Sequence, residues 1–192
     1  MTMDTNNVIV IHPNDDSTRF LKKLYSGYGE QLLLTEENNN KVIKEALTAD
    51  DDRILFMLGH GCPMGLFAPQ KNKNYPNGIN QFGRLIINSS HVQLLRKKLC
   101  IGIWCYAEDF ARKYGLHGLF SGMIISELEE AHDCGMYEFT APEIQMHNQD
   151  FAEALYDCIN KYPLNEVPEA MEHYIQNPNR LELFNYSNLY YL

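Results

Sequence analysis

The chain has no apolar run approaching the roughly 18 residues that a membrane-spanning helix requires. Its start, MTMDTNNVIV, puts no basic region ahead of an apolar core. Both absences lead to the expectation of a cytoplasmic protein with no membrane partner. Positive charge is also scarce: 16 Lys and Arg stand against 25 Asp and Glu, a formal net charge of −9. That balance argues against nucleic acid as a partner, because a broad phosphate-binding face needs an excess of cations. The five cysteines, at positions 62, 100, 105, 134 and 158, include no C-x-x-C pair. An odd number spread in this way does not make a disulfide framework, and reduced thiols are expected. Neither G-x-G-x-x-G nor G-x-x-x-x-G-K follows any apolar run, which argues against a nucleotide-binding doubly wound protein. There is no internal repeat, and Asn38 to Asn40 is the one low-complexity stretch.

What is present suits one domain over residues 1–192: the chain is 45% hydrophobic and 21% charged, ordinary for a globular protein with a substantial core. Asn7 to His12 is a first apolar strand, and Asp15, Asp16 and Ser17 offer helix caps after it. Phe20, Leu21, Leu24, Tyr25 and Tyr28 share one side of a following helix, and Gln31 to Thr35 is the next strand. Val42, Ile43, Ala46 and Leu47 mark a second helix ahead of a third strand within Arg53 to Gly61. The resulting βαβαβ order predicts parallel pairing through right-handed crossovers, in a three-layer α/β/α sandwich with a mostly parallel central sheet.

Beyond that strand, Gly65 to Phe67 is a short extended piece, Ala68 to Phe82 an exposed Asn- and Pro-rich loop, and Arg84 to Asn88 another extended piece. A helix holding Val92, Leu94 and Leu95 leads into the apolar run Leu99 to Trp104, and a further helix carries Phe110, Ala111 and Tyr114 as far as Gly115. Gly118 to Ser126 predicts a strand, with Ser126 and Glu129 as a capping box for the next helix. Two C-terminal helices follow, one around Phe151 to Ile159 and one around Val167 to Ile175, and the tail LELFNYSNLYYL suggests an edge strand.

Two of the strands end in chemistry. RILFMLGHG runs from Arg53 into a single imidazole, His60, and LCIGIWC runs from Leu99 to a thiol, Cys105. In an open α/β sheet ligands bind beyond the carboxyl ends of the strands, so both groups fall where reactivity is usable. A helix starting just after Cys105 would favour thiolate through its free N–H groups. Taken singly, a Cys or His at a strand end is more often a core residue; it is the pairing that points to catalysis. A zinc site of His60, Cys62, Cys105 and Cys134 matches no standard ligand spacing.

The pair ILFMLGHG and CIGIWC resembles the caspase-like cysteine peptidases of clan CD, the group of caspases, gingipains, clostripain, legumain, separase and CHAT-domain proteases. The 45 residues from His60 to Cys105 are close to the roughly 50 noted for caspases. The resemblance covers both strands and the βαβαβ order from Asn7 to Ser126. Two departures stand out: Trp104 occupies the place before the nucleophile where the family has a small residue, and the QACRG-type sequence of caspases is absent.

The resemblance implies a caspase-like fold and a cysteine endopeptidase, with Cys105 as nucleophile and His60 as general acid and base. It places the oxyanion between the backbone N–H groups of Gly61 and Cys105, and calls for no metal or organic cofactor. Asp15 and Asp16, in the loop after the first strand, are the implied substrate-binding carboxylates, selecting a basic residue before the cut. Peptides or proteins are the implied substrates. The tyrosine-rich tail and the Asn-rich loop are candidate surfaces for a regulatory protein partner. The contrasting expectation is a non-catalytic α/β interaction or ligand-binding module.

Overall fold

The computed structural model describes residues 7–49, 52–69 and 82–192. The chain opens with β1 (Asn7–Ile11), a 3₁₀ helix at Arg19–Tyr25, β2 (Glu30–Leu34), α1 (Asn40–Thr48) and β3 (Ile54–Leu58). Three short strands follow, β4 (Gly61–Cys62), β5 (Gly65–Pro69) and β6 (Phe82–Ile87), then α2 (Val92–Leu95), β7 (Leu99–Ile103), α3 (Ala107–Tyr114) and β8 (His117–Ser121). The remainder is α4 (Leu128–Asp133), α5 (Ala141–Lys161), α6 (Val167–Glu172), α7 (Arg180–Tyr186) and β9 (Leu189–Tyr191).

Six of the strands form one sheet in the order β2-β1-β3-β7-β8-β9, parallel throughout except for β9, which runs antiparallel to β8. Register explains why the central strands β1, β3 and β7 are apolar at nearly every position. Val10, Phe56, Ile101 and Leu119 line up across four strands and face the 3₁₀ helix, α5 and α6 through Leu21, Leu24, Phe151, Leu155 and Met171. Their neighbours Ile9, Leu55 and Cys100 line up on the other face, against Ile43 and Leu47 of α1 and Phe110 of α3. A parallel sheet covered on both faces demands apolar residues at odd and even positions alike. The result is the expected three-layer α/β/α sandwich.

Local structure departs from the sequence expectation in several places. The segment after β1 is a 3₁₀ helix capped at Thr18 with no side-chain bond, so Asp15, Asp16 and Ser17 do not cap it. The strand expected over Gly118 to Ser126 stops at Ser121. Beyond that point Asn185 takes over the strand's pairing: its Oδ1 accepts from Ile125 N–H and its Nδ2 donates to Ile125 O, both at 2.9 Å. The capping box of α4 joins Glu127 to Glu130, one residue on from the expected Ser126 and Glu129. In the tail only Leu189–Tyr191 is strand, because Asn179 and Glu182 cap each other's backbone and start α7 instead. Of the expected loop, Ala68 and Pro69 belong to β5 and Phe82 to β6, and residues 70–81 lie outside the described residues.

His12, just past β1, is buried and shares a 3.1 Å hydrogen bond between Nδ1 and the Tyr25 hydroxyl. Burial, helped by the Lys22 charge, lowers its pKa from 6.5 to about 4. Between those values the unfolded chain binds a proton that the folded chain refuses, so stability rises with pH across this window and falls on acidification. His12 alone is expected to contribute about 3 kcal/mol to that rise. Urea unfolding at a series of pH values checks it, and His12→Phe should flatten the curve between pH 4 and 6.5.

Candidate active site

The connection leaving β1 packs on one face of the sheet and α1, which leads into β3, packs on the other. Where successive connections part in this way, a crevice opens at the carboxyl ends of the strands. Leu58 of β3 pairs with Ile103 of β7, and Gly59 N–H extends the ladder to Ile103 O at 3.1 Å. His60 and Cys105 therefore each stand two residues beyond the same rung. Both line one small cavity, shared with Trp104, Ile124 and Ser126. The structure thus brings together the two groups that the sequence singled out.

The imidazole is set among carboxylates. Ser17 Oγ lies 2.7 Å from His60 Nε2, and the same hydroxyl donates to Asp15 Oδ1 at 2.5 Å. Asp15 Oδ1 is 3.9 Å from Nε2 and Glu127 Oε1 is 4.0 Å from it. Asp15 thus lies against His60 with its side chain only 8% exposed. Asp16 is instead 89% exposed and paired with Arg19, at the rim of a neighbouring groove.

The thiol has the opposite character from the one expected of a helix N-terminus. Cys105 Sγ donates to Ile124 O at 3.3 Å and lies 3.9 Å from Glu130 Oε1. Burial first, and the Glu130 charge second, push its pKa up to about 12. The helix cannot offset this. Tyr106 precedes α3 in a left-handed conformation, φ 66°, and the amides of Tyr106 and Ala107 already donate to Gly122 O and Trp104 O. At rest Cys105 is a neutral thiol.

Trp104 is buried beside Phe110 on the α3 side, and its Nε1 donates to Cys62 O at 3.3 Å. Any Cβ at Gly61 would collide with this indole, so glycine there permits the β4 turn to lie directly on the tryptophan. Phe67 N–H donates to His60 O, and Gly61 comes opposite Leu66 one step on. By the alternation of an antiparallel ladder, Gly61 N–H then points away from β5. The bulky residue before the nucleophile supports the hairpin that presents this amide.

Beside the dyad runs a groove of about 680 Å³ between the 3₁₀ helix and the start of α4 and α5, with Asp16, Glu127 and Glu129 among its walls. Sequence reasoning missed Ser17, Glu127 and Glu130 as residues of this site. Glu130 could have been found from Ser126 and the S-x-x-x-E spacing, since its Oε2 accepts from Ser126 N and Oγ at 2.7 and 3.0 Å. Ser17 had no local signal, because its partner is 43 residues away.

No family model and no curated protein matches this chain. Among the described residues no group of three His, Cys, Asp or Glu is arranged to hold a metal ion, so the zinc grouping of His60, Cys62, Cys105 and Cys134 is not assembled. No helix among them is long and apolar enough to cross a membrane.

Because the Glu130 carboxylate opposes ionisation of Cys105, Glu130→Gln should lower the thiol's pKa from about 12 while the amide oxygen keeps the cap. Alkylation of Cys105 by iodoacetamide at mildly alkaline pH, followed by mass spectrometry, should then run several-fold faster than in the wild type. An unchanged rate would mean that burial alone holds the proton.

Proposed function

We propose that this protein is a cytoplasmic cysteine endopeptidase in which Cys105 and His60 form the catalytic dyad, with a preference for a basic residue before the cut. The observation that carries the reading is the placement of a thiol and an imidazole two residues beyond the same rung of β3 and β7, in one cavity at the carboxyl edge of the sheet. The resemblance of ILFMLGHG and CIGIWC to clan CD peptidases supports it. The adjoining groove is lined by Asp16, Glu127 and Glu129 against one cation, Arg19, which pairs with Asp16; that net negative lining favours a cationic substrate side chain.

Since the resting thiol is neutral, the reaction begins with transfer of its proton to His60 as sulfur attacks the scissile carbonyl carbon. The carbonyl π electrons move to oxygen, and the Gly61 and Cys105 amides are the donors proposed for that oxyanion. Donors fixed in this way contribute roughly 3 to 4 kcal/mol to lowering the barrier. His60 then returns its proton to the leaving amine as the C–N bond breaks, which leaves a thioester on Cys105. Water, deprotonated by the same imidazole, attacks the thioester and releases the acid and the thiol. Proton transfer of this kind is worth about 10² to 10⁴ in rate. No step calls on a metal or organic cofactor.

A second reading is a non-catalytic α/β interaction module, and the neutral, buried Cys105 facing Glu130 favours it. A peptide library varied at the residue before the cut separates the two. Catalysis predicts cleavage after Lys or Arg, reduced at least about 10³-fold in Cys105→Ala and about 10²-fold or more in His60→Ala. Absence of cleavage by the wild type across the library is the outcome expected of the module.

A further inference from the structure

We infer that Asp15 and Ser17 are the positioning residues of His60, holding its ring through a carboxylate–hydroxyl–imidazole relay that fixes which nitrogen serves the thiol; this rests on the dyad reading above. An ionised carboxylate can only accept hydrogen bonds, so in the 2.5 Å contact the hydroxyl hydrogen of Ser17 must point at Asp15 Oδ1. That length is typical of a hydroxyl donating to a carboxylate. Ser17 N–H donates to the same oxygen at 2.9 Å, which fixes the serine backbone as well as its side chain. With its hydrogen committed, Ser17 Oγ presents lone pairs to His60 Nε2 at 2.7 Å. Nε2 is then the nitrogen that bears hydrogen, and Nδ1 is the basic nitrogen of the neutral ring.

The thiol proton goes to Nδ1, the ring becomes imidazolium, and its charge is met by Asp15 through Ser17 and by Glu127 Oε1 at 4.0 Å. The proton returns from Nδ1 to the leaving amine, so the relay holds charge and orientation without itself gaining or losing a proton. A simpler use for Asp15 and Ser17, capping the 3₁₀ helix, is not the one they have, because that helix is capped at Thr18 with no side-chain bond. Nor does Asp15 line the open groove in which Asp16 stands.

The test is ¹⁵N–¹H long-range correlation spectroscopy of the full chain labelled in histidine, at alkaline pH, with the His60 signals assigned by their loss in His60→Gln. Wild type and Ser17→Thr, which keeps the hydroxyl, should show the Nε2–H tautomer. Ser17→Ala should show a mixture or the Nδ1–H form. Peptide cleavage should follow the same pattern: kcat about 10- to 10²-fold lower in Ser17→Ala and Asp15→Asn, KM little changed, and Ser17→Thr largely restored. An Nδ1–H ring in the wild type, or a tautomer indifferent to Ser17→Ala, would overturn the relay. If the wild type cleaves no peptide, the dyad reading fails on its own, and the tautomer still decides whether Asp15 and Ser17 hold the ring.

Discussion

The parallel pairing of β3 with β7, which sets Leu58 beside Ile103, is the constraint on which the rest of the site depends. Two strands that begin 45 residues apart are stopped at the same height, so the residues just beyond them share a crevice. That pairing is stable because both faces of the sheet are covered. The row Val10, Phe56, Ile101, Leu119 meets the 3₁₀ helix and α5, and the alternate row meets α1 and α3. Burial of this kind contributes about 1.5 to 3 kcal/mol per large apolar side chain, so the site is a by-product of where an apolar sheet must end.

Charge then determines what the crevice can do. Carboxylates approach both reactive groups: Asp15 and Glu127 the imidazole, Glu130 the thiol. Burial and the Glu130 charge keep the proton on the Cys105 sulfur at rest. Asp15 and Glu127 are placed to meet positive charge on the ring once the proton is transferred. Glu130 has a second duty in the cap of α4, so the segment that carries Glu127 and the group that restrains the nucleophile are mechanically one unit.

Trp104 shows how a departure from a family pattern is absorbed by packing. Its indole packs against Phe110 of α3, bonds Cys62 O and underlies Gly61. A large residue before the nucleophile is accommodated because the neighbouring hairpin has no Cβ where the ring passes. The two features belong together, and neither has meaning from its own position in the sequence.

Long apolar runs, their spacing and the Gly and Asn breaks between them were sufficient to read the βαβαβ order, the parallel sheet, and His60 and Cys105 as strand-end residues. These depend on periodicity and burial, which are local properties of the chain. The short elements were less legible: the 3₁₀ helix after β1, the end of β8 and the tail helix each turn on one hydrogen bond or cap, such as Asn185 pairing with Ile125 across 60 residues. The protonation of Cys105 and the company of His60 could not be read at all. Both arise from groups brought in by other elements, Glu130 from α4 and the Asp15–Ser17 turn from the end of β1. The sequence by itself determined which residues are reactive in kind; the tertiary structure decided which charges face them, because electrostatic interaction depends on distance through space and not on separation along the chain.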